Sequence, residues 1–466
     1  MNLRAAVLGL AALLAGCATA GPDYHPREHS AATDPKATGA FASVEGPVFA
    51  NAPLPDHWWR LYDDAGLNQL VEQALAANTD LRAADANLRR ADAVVRETAG
   101  SRLVSTEASG GVSLDRPSGT GFSLPGVVDY DLGLGVSYPL DLNGKIRRAI
   151  EASEADRDAV AAARDAVRVS VAAAVARAYV DVCSANYQLA INQHVLQLQR
   201  DTLDATQRLQ RGGRGTAFDV SRAQAAVDES AAALPVFVAR RKAALYLLST
   251  LLGRPPSDYP REAETCAALP ALSQPLPVGD GGTLIRRRPD IRQAERAIAA
   301  DTARIGVAVA DLYPQVSLGG SAGLSGPLKD AGGGTSFGFS LGPLISWTFP
   351  NRTIVRARIE AAGAQVDADV ARFDSTVLDA LRETETALET YARDRDRAEA
   401  LARTRDSAAL SAEQANRLFR FGRSDFLALL DAQRVLASAE AAHAAAVAQL
   451  GTDQVALFLA LGGGWN

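Results

Sequence analysis

Between Gly144 and Gly212 the chain runs without a proline or a glycine, and from Arg352 to Phe421 only Gly363 interrupts it. Each run, if helical, extends to roughly 100 Å at 1.5 Å per residue. Few folds hold helices of that length. Within the first run Val160, Ala163, Val167, Val171, Ala174, Ala178, Val182, Ala185 and Leu189 form one apolar stripe. The spacing averages close to 3.6 residues, which predicts a nearly straight helix rather than a tight two-stranded supercoil. Small side chains on the stripe allow neighbouring helices to approach closely, and a coiled-coil bundle is the simplest structure they could build.

The two runs belong to a duplication. Asp80-Leu81-Arg82 returns as Asp290-Ile291-Arg292, Arg208-Leu209 as Arg417-Leu418, and Ala223-Gln224 as Ala432-Gln433, at offsets of about 210. Each copy orders its features alike: helix, glycine-rich alternating stretch, very long helix, glycine turn, helix. The expected division is a repeat over 67–255 and another over 283–461, joined by a proline-rich connector over 256–282 and closed by a tail over 462–466. Solenoid repeats are far shorter, so this is pseudo-symmetry within one fold.

The glycine-rich stretches alternate strictly. Tyr130, Leu132, Leu134, Val136 and Tyr138 alternate with Asp131, Gly133, Gly135 and Ser137; Phe337, Phe339 and Leu341 alternate with Gly338, Ser340 and Gly342. Residues 316–324 repeat the pattern, and 104–114 do so more weakly. One apolar and one small polar face, at about ten residues, is the pattern of a transmembrane β-strand. Tyr130 and Phe337 would then mark one membrane interface, Tyr138 and Trp347 the other, with 115–127 and 325–334 as outer loops. A soluble hairpin is the alternative for either pair alone. Four strands cannot close a barrel, and lipid does not tolerate an open edge. Two copies would supply eight strands and three copies twelve; twelve, lined by glycine and serine, leave room for water.

The N-terminus fits export. A basic Met1–Arg4 precedes the apolar stretch Ala5–Ala15, which is too short to span a bilayer and ends in Leu14-Ala15-Gly16-Cys17. Small residues before a cysteine resemble a bacterial lipobox, with residues 1–16 removed and Cys17 acylated; an ordinary signal peptide containing a cysteine is the alternative. Ala18 after the cysteine resembles lipoproteins sorted to the outer membrane, and residues 17–66 read as a lipid-anchored extended segment. Cys183 and Cys266 show no sign of pairing and read as free.

Other chemistries find little support. Net charge is −6, so no basic field for nucleic acid exists at the scale of the chain. Three cysteines and five histidines, scattered, offer no dense metal cluster, and the single methionine, Met1, would be lost with the signal, leaving a thioether relay for soft metals without ligands. Gly319-Gly320-Ser321-Ala322-Gly323 fits a nucleophile-elbow pattern but sits in an alternating strand, and Asn143-Gly144-Lys145-Ile146 lacks the hydroxyl and first glycine of a phosphate loop. No catalytic residue, metal or cofactor is expected.

Arg287-Arg288-Pro289-Asp290-Ile291, Ala294-Glu295 and Ala310-Asp311-Leu312-Tyr313-Pro314-Gln315-Val316-Ser317-Leu318 resemble the central signature of the TolC-type outer-membrane efflux family. Gly21-Pro22-Asp23-Tyr24 and Trp58-Trp59 resemble its NodT lipoprotein branch. The resemblance implies an α+β membrane protein: a trimer sharing a twelve-stranded β-barrel, continued across the periplasm by an α-helical barrel. It implies an exit duct for small molecules, working with a periplasmic adaptor and an inner-membrane transporter. A duct for type I protein secretion is the nearer rival, and a pore-less structural lipoprotein the more distant one. The glycine turns Gly212–Thr216 and Gly422–Asp425 would be helix reversals at the periplasmic tips, with Gly213, Arg214, Gly422 and Arg423 as adaptor contacts. Phe426–Gln433 resembles the aperture helix, whose Leu427 and Asp431 would line the constriction. Ser424 stands where some members carry an arginine that pairs with the gate aspartate.

Overall fold

The computed structural model describes residues 19–44, 46–116, 118–119, 122–123, 126–266, 268–272, 274–333 and 336–463. Cys17 lies outside the described residues. The principal elements are α1 (Ala65–Ala77), α2 (Thr79–Gly100), β1 (Ser105–Asp115), β2 (Val127–Leu140), α3 (Lys145–Arg211) and α4 (Ala217–Leu251). After the connector come α5 (Gly281–Arg287), α6 (Pro289–Ala310), β3 (Gln315–Pro327), β4 (Phe337–Ser346), α7 (Arg352–Arg420) and α8 (Phe426–Ala460). The duplication is visible in the lengths. Helices α2 and α6 have 22 residues each, α3 and α7 have 67 and 69, and α4 and α8 have 35 each.

The chain divides into two compact units. The first comprises the chain up to Glu28, Asn87–Ala161 and Gln293–Phe373. It contains a four-stranded antiparallel sheet in the order β1-β2-β3-β4. Leu132 lies opposite Gly110 and Leu324, and Leu324 opposite Phe337, so the expected apolar face is continuous across all four strands. Among the described residues the sheet does not close on itself, and β1 and β4 each leave one edge unpaired. Part of the expected outer loop is itself paired: Ser118–Gly119 and Phe122–Ser123 form a short antiparallel ladder.

The second unit comprises His29–Ala86, Ala162–Arg292 and the chain from Asp374 onward. Its core corrects the single-stripe picture of α3. From Val169 to Cys183 and on to Ala185, only Ser170, Arg177 and Asp181 are exposed. Partners approach from several sides: Tyr179 donates its hydroxyl to Asp64, and Gly451 of α8 sits so close that a Cβ there would lie 2.9 Å from Val180. Trp58 and Trp59 are fully buried, and the Trp58 ring stacks on Phe458 with centroids 4.6 Å apart. Phe49–Ala50 pairs in parallel with Leu276–Pro277. Phe49, Leu54, Trp58, Trp59 and Tyr62, from the segment expected to be extended, are therefore part of the core.

The cysteines are also corrected. Cys183 and Cys266, 83 residues apart, form a disulfide. Asn186 donates to the backbone oxygens of Glu264 and Cys266, and Lys242 donates to Glu264 and Tyr259, so the connector is held covalently and by hydrogen bonds. The arginines of the signature motif have structural work. Arg287 donates to Asp56, Leu54 O and Gly462 O, while Arg288 pairs with Asp290 and Glu383 and donates to Ala460 O. Together they tie both ends of the unit to the start of α6.

Candidate functional site

The sheet supplies two chemically distinct faces. Leu114, Leu132, Leu134, Phe339, Leu341 and Ile345 share the apolar face and are exposed. Opposite, the small polar face carries Ser137, Gly319, Ser321, Ser340 and Gly342, with Glu107 among them; Leu344 and Val127 are apolar residues on it. Exposed leucine and phenylalanine at this density contradict a water-facing sheet. Antiparallel register brings Tyr130 and Phe337 to the same end, opposite Gly326 and Leu324 of β3. Tyr138, opposite Leu318, and Trp347, just past Ser346, lie at the other end, both exposed. Tyr130 departs from its expected exposure: only 9% accessible, it is covered by the segment after β3 and its hydroxyl accepts from the Gly332 N–H. Part of the expected outer loop thus lies over the ring.

The two glycine turns are built alike. After α3, the Arg214 N–H donates to Leu209 O and the Gly213 N–H to Gln210 O; after α7, Arg423 donates to Leu418 O and Gly422 to Phe419 O. These are Schellman closures, each with its glycine in the left-handed region, φ +70° at Gly213 and +69° at Gly422. A Cβ at either glycine would meet nothing within 4 Å, so backbone conformation alone demands glycine there. The next helix is capped at once, by Thr216 with Asp219 in a capping box and by Asp425 accepting from the Ala428 N–H. Gly213, Arg214, Gly422 and Arg423 are all exposed.

At the start of α8, Phe426 and Leu430 are buried against Ala223 and Ala226 of α4. That packing turns Leu427, 49% exposed, and Asp431 one turn later outward together. Below them Gln433 donates to Thr202 in a buried contact, beside a cavity of about 590 Å³ lined in part by Arg208, Arg214 and Arg420. The duplication also marks two residues that the sequence reading passed over. Phe218 and Arg222 stand 209 positions before Leu427 and Asp431. Phe218 is exposed, with the Arg222 guanidinium over its ring at 5.6 Å. The offset already used for Ala223-Gln224 would have found them.

Farther along α8, Asp453 lines another cavity of about 590 Å³ with Arg288, Glu383 and Thr390. It is 6% exposed, and its Oδ1 accepts from Gln449 while Oδ2 has no hydrogen-bond partner. Burial, and then the neighbouring Asp394 carboxylate, push its pKa up to about 6. Among the described residues there is no cluster of three or more side chains able to hold a metal ion, and no helix is long and apolar enough to cross a membrane.

A family model described as "Outer membrane efflux protein" matches residues 70–254 and 282–463. "Nodulation protein T" of Rhizobium leguminosarum bv. trifolii is 30% identical over 456 residues, covering 97% of this chain and 96% of that protein. "Probable efflux pump outer membrane protein TtgC" of Pseudomonas putida is 30% identical over 470 residues, covering 97% and 94%. The solved outer-membrane channel OprN superposes with a TM-score of 0.88 at 36% identity, covering 96% of this chain and 100% of that one.

Proposed function

The chain belongs to the outer membrane efflux protein family, and from that premise we propose how it serves as the outer-membrane channel of a tripartite efflux system. One observation carries the reading: a four-stranded sheet, apolar on one exposed face and small and polar on the other, with an unpaired edge on each side. Lipid accepts the apolar face but not the edges. Three copies edge to edge give 3 × 4 = 12 strands, with glycine and serine turned inward around water. The long helices would continue the wall of that homotrimer into the periplasm. A periplasmic adaptor would meet the tips at Gly213, Arg214, Gly422 and Arg423, and an inner-membrane transporter would supply the energy, since the duct conducts passively. Tyr138, Trp347, Phe337 and, at the covered end, Tyr130 would mark the membrane interfaces. Cys17 would carry the lipid.

Leu427 and Asp431, turned outward by the buried Phe426 and Leu430, are the residues proposed to narrow the periplasmic entrance. Three Asp431 carboxylates brought together would favour cations and repel one another when ionised. Single-channel conductance in planar bilayers tests this, comparing wild type with Asp431→Ala across a pH series. A small wild-type conductance that rises in the variant supports a gate at this ring. Channels of unchanged conductance discard the gate and keep the duct; no channels from folded, inserted protein sink the duct.

A further inference from the structure

Residues 19–24 do not trail from the fold; they are clasped by it. The Ala20 N–H donates to Asn143 O at 3.0 Å, in the turn between β2 and α3. The Arg148 side chain, 3% exposed, donates from Nε to Ala20 O at 3.0 Å and from Nη2 to Gly21 O at 3.3 Å and to Asp23 at 2.6 Å. Its Nη1 is taken by Glu151 at 2.7 Å. Arg147 reaches the Thr19 hydroxyl at 3.0 Å. Gly21, at φ +81°, lies against Gly306 of α6: a Cβ on Gly21 would sit 2.4 Å from Gly306 Cα, and one on Gly306 would sit 2.7 Å from Ala20 O. Tyr24 completes the contact, donating to Glu295 and packing on Ala155, Ala299 and Ala300.

A buried guanidinium is stable only where its donors are satisfied, and here residues 20, 21 and 23 satisfy most of them. The site is thus built for this segment in this position. It lies beside Gly144, four residues past the end of β2, where Leu140 pairs with Val316 at one end of the sheet. Thr19 is two residues from Cys17, so a group on that cysteine attaches within about 7 Å of chain.

We propose that Arg148, Asn143 and Gly306 form a docking site for residues 19–24, which holds a lipid on Cys17 against the end of the sheet. The anchor then does more than tether the chain: it sets where the strands meet the lipid surface. A linker of one residue gives strands and membrane a high effective concentration for one another, whereas a loose segment would dilute it. Arg148 acts as a positioning residue. The proposal rests on Cys17 being lipidated.

The test uses the full chain produced into outer membranes, as wild type, Arg148→Met, Gly306→Leu, Cys17→Ser and the double variant of Cys17→Ser with Arg148→Met. Gly363→Leu, at a glycine with nothing within 4 Å of its Cβ position, is the control. Mass spectrometry of the N-terminal peptide reads lipidation, trypsin cleavage after the exposed Arg27 reads release of the segment, and gel mobility without heating reads assembled channel. Arg148→Met and Gly306→Leu should keep the lipid, be cut at least tenfold faster and assemble several-fold less, while the control matches wild type. Adding Arg148→Met to Cys17→Ser should cost no further assembly, because the clasp then has no anchor to place. Wild-type cleavage rates in both clasp variants overturn the proposal. So does an additive loss in the double variant, which would make Arg148 a residue of general folding. Absence of lipid on wild-type Cys17 removes the lipid reading, while the cleavage comparison still reports on the clasp.

Discussion

Asp453→Asn should stabilise the protein above pH 6 and remove a pH dependence that wild type shows below it. The buried carboxyl holds its proton up to about pH 6, whereas the unfolded chain releases it near 3.8. Between those values the folded state binds more protons, so stability is greatest at the acid end and falls as pH rises through the window, levelling off above it. The difference of roughly two units corresponds to about 3 kcal/mol per chain, at about 1.4 kcal/mol per unit. Asparagine keeps the shape and the acceptor for Gln449, and its amide can donate to Asp394, replacing a repulsion with a hydrogen bond. For 466 residues the unfolding entropy is about 1 kcal/mol per degree, so the apparent Tm at pH 8 should rise by about 3 °C. At pH 4 the two proteins should coincide. Thermal scans of detergent-solubilised protein from pH 4 to 8 are sufficient. A variant that melts below wild type at pH 8, or that keeps the same slope between pH 4 and 6, would refute the argument from burial.

Other perturbations follow from the same geometry. Cys183→Ser with Cys266→Ser frees the connector and should cost about 2–4 kcal/mol, since the bridge closes a long loop of the unfolded chain; reductant should lower the wild-type Tm to the variant's value and leave the variant unchanged. Gly213→Ala and Gly422→Ala each force a side chain into the left-handed region and should loosen the turn by about 1 kcal/mol, read as faster amide exchange at Arg214 and Arg423. Equal effects at both turns are expected from their identical closures, and a neutral result at either would contradict the backbone argument.

What could be read in advance depended on how local the signal was. The sheet was legible because a period of two, sustained through Tyr130–Tyr138 and Phe337–Leu341, has one physical reading, and the register then follows from which face is apolar. The long helices were legible because nothing in 145–211 could stop them. The two helix reversals were legible because their glycines recur at one offset. Burial all round the middle of α3 was not, since alanine serves a solvated stripe and a crowded core equally well. Nor was the Cys183–Cys266 bridge, whose partners meet only after the connector folds back. Arg148 carries no signal in the sequence, and the residues it holds read there as part of a lipid-anchored extended segment; only the fold brings them together. Of the candidate site, positions were readable and orientation was not: Leu427 and Asp431 face outward because Phe426 and Leu430 are buried against α4.

The unpaired edges of β1 and β4 also bear on inheritance. A strand edge recruits whatever complementary edge it meets first, and in a closed ring every subunit is indispensable to its neighbours. A copy with a spoiled β1 edge would therefore be incorporated through its sound β4 edge and leave the ring unsealed. In a cell making equal amounts of sound and spoiled chains, the proposed ring of three would be wholly sound in roughly one case in eight. Edge lesions should accordingly behave as dominant alleles, and lesions that unfold the whole chain as recessive ones.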